Sequence, residues 1–157
     1  MSDILTIWDP VALGGDWRLD GVDLAAGHDL ETAAVLSLFT DRLALADDPL
    51  PDPGDGDRRG WWADWNASAG PIGSRLWLLS REKQLDEVRL RAEDYTREAL
   101  QWMLDDHVAD TVAVNAQWVG TTPGRLDIAV KISRDGALLL SRAFSWAWMQ
   151  GRGAHAV

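Results

Sequence analysis

Apolar residues recur along this chain with two different periods. Between positions 85 and 102, Leu85, Val88, Ala92, Tyr95, Ala99 and Trp102 are spaced 3, 4, 3, 4 and 3 apart. That spacing lays one apolar stripe along a helix. Glu87, Arg91, Asp94 and Glu98 fall off the stripe and are expected to face water. In the C-terminal third the period drops to two. Val112, Val114, Ala116 and Trp118 alternate with Ala113, Asn115 and Gln117, and Leu126, Ile128, Val130 and Ile132 alternate with Asp127, Ala129, Lys131 and Ser133. Leu138, Leu140, Phe144, Trp146 and Trp148 share one parity, interrupted by Arg142. Asp135-Gly136 is a strong hairpin signal, and Thr121-Thr122-Pro123-Gly124 turns the preceding pair. The pattern predicts a three-strand antiparallel meander with its last, aromatic strand at an edge.

The first half is less regular. Ile4 to Trp8 is a short apolar run stopped by Asp9-Pro10. Gly14-Gly15 reads as a turn, Trp17, Leu19 and Val22 as a second short strand, and Asp20-Gly21 as a tight turn. Asp29 is placed to cap a helix starting at Leu30. From Ala33 to Phe39 only Ser37 is polar, so this helix is expected to be buried on several sides. Asp47-Asp48-Pro49 forbids its continuation, which puts its end near Ala46. Residues 47–75 are then a polar loop rich in Pro and Gly. Trp61, Trp62 and Trp65 sit in its middle, which makes it more than a linker.

The predicted fold is α+β in one domain over residues 1–157. It comprises a short N-terminal β element (1–27), two main helices with a long ordered loop (28–106, loop 47–75), a C-terminal three-stranded antiparallel sheet (110–149) and a loose tail (150–157).

Length agrees with a self-sufficient core, since 157 residues can bury roughly 70% of their unfolded surface. The N-terminus lacks the basic and apolar regions of a signal peptide, and no apolar run approaches the ~20 residues of a membrane span. No membrane partner is therefore expected. With 25 acids against 15 Lys and Arg, the formal charge is −10. That weighs against nucleic-acid binding and suits a partner with a basic face.

Chemistry is sparsely signalled. Cys is absent, so thiolate metal sites and cysteine nucleophiles are excluded. His28, His107 and His155 form no ligand-spaced pair, and Asp105-Asp106-His107 does not converge by spacing. No Gly-x-Ser-x-Gly elbow, dinucleotide fingerprint or P-loop occurs. No metal, cofactor or catalytic residue is expected. A lytic reading would need an acid with a raised pKa, and Glu31 and Asp64 are the candidates. Each has a simpler use, as a first-turn helix residue and as a loop acid near Arg58 or Arg59.

Tryptophan carries the strongest signal, with ten against one Tyr and two Phe. Arg58, Arg59, Trp61, Trp62 and Trp65 combine the two residue types most enriched at binding hot spots. Sugar stacking, protein docking and closure of the core are all open to this loop.

Three runs resemble the Mu-like phage baseplate proteins. They are His28-Asp29-Leu30-Glu31-Thr32-Ala33 with Leu36 to Arg42, Asp57-Arg58-Arg59-Gly60-Trp61-Trp62, and Gly73-Ser74-Arg75-Leu76-Trp77-Leu78-Leu79-Ser80-Arg81-Glu82-Lys83. The resemblance spans nearly the whole chain. It implies a non-enzymatic wedge or sheath-initiator component of a contractile tail, located in the virion and present in several copies of a symmetric assembly. The implied partners are other baseplate proteins and the tail sheath protein. In that scheme the strand containing Leu138, Leu140, Phe144, Trp146 and Trp148 offers an edge to the sheath. The Leu85–Trp102 helix fits a larger baseplate partner. The alternative is a cell-wall carbohydrate-binding or lytic tail module built on the tryptophan loop.

Overall fold

In the computed structural model, residues 2–9, 14–54, 56–66, 70–120 and 125–147 are described. The architecture is α+β, with two helices over one face of a C-terminal three-stranded antiparallel sheet and a small N-terminal β element beside them.

The N-terminal element contains β1 (Thr6–Asp9) paired antiparallel with β2 (Gly14–Trp17), and β3 (Leu19–Asp20) paired with β4 (Asp23–Leu24). Gly14 and Gly15, expected to turn the chain, are instead strand residues facing Asp9 and Trp8. Residues 10–13, between these two strands, lie outside the described residues. Gly21 has φ 66, while Val22 keeps a negative φ. That is the pattern of a II′ turn, and it explains why Gly follows Asp20.

Helix α1 (Asp29–Phe39) starts where the sequence indicates but ends seven residues early. Thr40 is extended (φ −85, ψ 135), and Asp41 forms a parallel bridge with Ser74. The Arg42 N–H donates to the Ser74 carbonyl at 3.0 Å and the Ser74 N–H to the Thr40 carbonyl at 2.9 Å. A contact with a segment 33 residues away thus overrides local helix propensity. Nor does Asp29 cap the helix. Its carboxylate accepts the Asp3 N–H at 2.8 Å and the Ser2 hydroxyl at 3.2 Å, and His28 occupies the cap position.

The loop at 47–75 is described over most of its length and contains a 3₁₀ turn at Asp64–Asn66. A second 3₁₀ helix, Leu76–Leu79, is buried at every position. Helix α2 (Asp86–Asp105) follows. Val88, Ala92, Tyr95 and Ala99 are buried as the stripe predicts, but Leu85 is the exposed cap residue, and Glu93, Thr96, Leu100 and Met103 widen the buried face. Glu87 and Asp94 face water, while Arg91 and Glu98 are half-buried in ion pairs with Glu82 and Arg75.

The sheet has the order β5 (Thr111–Val119), β6 (Arg125–Arg134), β7 (Ala137–Ala147). Asp135 and Gly136 both have positive φ (52 and 75), as a I′ hairpin requires. The 121–124 turn, Trp148 and the 150–157 tail lie outside the described residues. Leu126, Ile128, Val130 and Ile132 of the central strand are fully buried. They meet α1, α2 and the 3₁₀ helix in one core. The opposite face carries Asn115, Gln117, Lys131 and Ser141 toward solvent.

One parity expectation fails. Leu140 pairs with Ile132, but Leu138 pairs with Ser133, because β7 carries one extra residue at a bulge. Leu138 is therefore 60% exposed, whereas Leu140 and Phe144 are 8% and 5% exposed. Of the contact residues expected on this strand, Leu140 and Phe144 are instead core residues. Phe144 meets Phe39 edge-on, with ring centroids 5.8 Å apart.

Candidate assembly surfaces

The two outer edges of the sheet are finished differently. Along β5, antiparallel alternation turns the backbone groups of Val112, Val114, Ala116 and Trp118 outward, and α2 supplies partners at the middle of the strand, to Val114 and Ala116. The Ala116 N–H donates to Glu93 Oε1 at 2.9 Å. Arg89 donates to the Ala116 carbonyl at 3.4 Å and Arg97 to the Val114 carbonyl at 3.3 Å. Both arginines also hold the Glu93 carboxylate at 2.9 Å. Burial opposes ionisation of Glu93, but the Ala116 N–H and the two guanidinium groups outweigh it, and its pKa lies below the usual carboxylate value. Side chains of one helix thus cover the middle of this edge.

Along β7, antiparallel alternation turns the N–H and C=O groups of Ser141, Ala143 and Ser145 outward. The Ser145 carbonyl accepts the Trp8 indole N–H at 3.0 Å, and the Ser141 carbonyl takes the Arg142 guanidinium at 3.3 Å. Among the described residues nothing else bonds to these outward groups. Leu139 to Arg142 form one wall of a cleft of about 250 Å³, and Gly27 to Glu31 form the other. Arg142 spans the cleft to Glu31 at 2.9 Å, and this hydrogen-bonded pairing holds the Glu31 carboxyl below its ordinary pKa. A general acid needs the opposite shift.

The tryptophan loop forms the second surface. Trp62 and Trp65 are 80% and 84% exposed, and Trp61 is 43% exposed. The Trp61 and Trp62 rings lie 5.5 Å apart at 52°. Polar groups fasten the loop from beneath. Asp64 accepts the backbone N–H groups of Trp61 and Ile72, each at 3.2 Å. Arg58 donates to the Leu45 carbonyl, while Arg59 pairs with Asp41 and lies over the Trp77 ring at 4.9 Å. The two arginines chosen for their residue type thus anchor the loop. The Trp146 side chain is not among the described groups.

Four other tryptophans act as staples between elements. Trp8 bonds to Ser145, Trp77 to the Arg42 carbonyl at 2.8 Å, Trp102 to Ser37 Oγ at 3.1 Å and Trp118 to the Leu85 carbonyl at 3.2 Å. Sequence reasoning gave them no such role. The available signal was the high ratio of Trp to Phe, since only Trp adds a donor to an apolar body.

A small α+β unit with one sheet edge covered at its middle by a helix, unpartnered N–H groups along the other among the described residues, and an exposed aromatic loop has the build of an assembly protein. The chain belongs to the family described as phage protein GP46, whose model matches residues 30–138. It is 45% identical over 117 residues to the baseplate protein gp46 of Escherichia phage Mu, covering 74% of this chain and 78% of that protein. It is 39% identical over 116 residues to the Mu-like prophage FluMu protein gp46 of Haemophilus influenzae, covering 74% and 76%. No solved structure matches it with comparable significance.

Proposed function

We propose that this chain is a structural component of a phage tail baseplate, of the wedge or sheath-initiator type, and that β7 accepts a strand from the tail sheath protein. The observation that carries this reading is the asymmetry of the sheet. Arg89, Glu93 and Arg97 of α2 cover the middle of β5, while on β7 the outward N–H groups of Ser141, Ala143 and Ser145, all small residues, have no partner among the described residues. Small outward residues let another backbone approach, and strand addition draws on such an edge. Leu90 and Trp102, partly exposed on α2, suit the contact with a larger baseplate partner. The role involves no catalysis. Glu31 and Asp64 are both committed to bonds within the chain.

The test is Ser141→Pro. Its N–H points away from β6, so proline there spares the ladder and removes only an outward donor. The expected result is a folded protein that joins baseplates but cannot start sheath growth. Normal sheath polymerisation on baseplates carrying Ser141→Pro would overturn the strand-addition reading.

A cell-wall sugar reading draws on the exposure of Trp62 and Trp65. The 52° tilt between Trp61 and Trp62 breaks up the flat platform that a sugar face needs. Cosedimentation with peptidoglycan, abolished by alanine at Trp61, Trp62 and Trp65, would favour it.

A further inference from the structure

We infer that the N-terminal lobe is a separate docking surface for a basic protein segment bearing an apolar anchor residue. Every residue from Gly15 to Leu24 is exposed. Within this stretch the β3–β4 hairpin has only two pairs. Leu19 faces Leu24, so one side of the hairpin carries an exposed apolar pair. Asp20 faces Asp23 on the other side, and like charges directly opposite each other are destabilising. Among the described residues neither aspartate forms an ion pair. So small a hairpin is poorly placed to carry an unrelieved like-charge pair in the free chain. One partner relieves that repulsion and buries the exposed leucines, if it brings a lysine or arginine to the aspartates and an apolar side chain to Leu19 and Leu24.

The surroundings agree on the sign of that partner. Residues 1–31 contain seven carboxylates and one arginine, Arg18, so over half the formal charge of −10 lies in a fifth of the chain. Glu31 is bound by Arg142, and Asp29 by Ser2 and Asp3. Asp16 lines a groove of about 410 Å³ between β2 and α1, beside exposed Trp17. The groove wall includes Trp8 stacked on Phe39, centroids 3.6 Å apart and planes within 8°. This gives an aromatic seat with one acid, Asp16, on its wall. Nucleic acid and anionic lipid surfaces are repelled by the same charge, which leaves a basic protein segment as the occupant.

The probe is a synthetic ten-residue peptide with Leu-Trp at its centre and lysines on both sides, titrated into isotope-labelled full-length protein and followed by NMR. Saturable shifts confined to Asp16–Leu24 and to the groove residues Trp8, Leu36 and Phe39, with the Trp17 indole among them, are expected. Asp20→Asn combined with Asp23→Asn should weaken binding at least tenfold and also raise Tm, because the repelling pair is gone. Glu87→Gln combined with Asp106→Asn removes equal charge elsewhere and should change binding less than twofold. Equal weakening by both double variants, shifts centred elsewhere, no saturable binding, or a Tm that does not rise on neutralising Asp20 and Asp23 would each overturn the inference.

Discussion

The Trp8 indole N–H reaches the Ser145 carbonyl at 3.0 Å and so joins the first strand to the last across 137 positions. The same ring stacks on Phe39. Trp8 therefore fixes how the N-terminal element sits against the edge strand.

Trp8→Phe should keep the stacking and lose the donor. The expected cost is about 1 kcal/mol, the net worth of one such bond. In urea the midpoint should fall with no change in slope. An unchanged midpoint would show that the bond contributes nothing to stability.

Glu93 makes the closure of β5 sensitive to acid. Its folded pKa lies below the ordinary value of 4.5, so the ionised form is favoured by folding. Its contribution is complete above that value and is lost as pH falls through the folded pKa. Glu93→Gln should therefore flatten the decline of stability below about pH 4.5. Above that pH it should cost about 2 kcal/mol, because a charge-assisted network loses its centre. Denaturant melts of both proteins across pH 3 to 7 test both claims, and parallel curves would refute the linkage.

Gly73 has φ 96, and a Cβ there would overlap the Thr40 carbonyl oxygen. Both the strained backbone and the collision act on the Thr40–Ser74 pairing that ends α1. Gly73→Ala should cost about 2–4 kcal/mol. A thermal melt within a degree of the parent would show that this junction is not held as described.

Much of the fold could be read from local chemistry. Asp135-Gly136 announces its turn because both residues must adopt positive φ. The stripe of α2 and the alternation of β5 and β6 are visible because each periodicity spans several repeats. What escaped reading depends on distant partners. Leu43, Ala44 and Leu45 extend the apolar pattern of α1, yet Ser74 captures the chain at Thr40. Glu93 looks like an ordinary helix acid until the Ala116 backbone, 23 residues on, comes beside it. Leu138 follows the parity of its strand, but the bulge between Ile132 and Ser133 moves it to the surface. At the candidate surfaces, residue type located the exposed tryptophans but not the inward use of Arg58 and Arg59, whose partners are Leu45 and Asp41.

The cover that α2 lays across β5 also bears on how the sheet can meet its own kind. A sheet open on both sides is bivalent and can propagate copy upon copy into a fibre. Here Arg89, Glu93 and Arg97 sit across the middle of β5, so a strand arriving there must first displace three ionic side chains. Pairing is thereby biased toward β7, and growth through both edges at once is disfavoured.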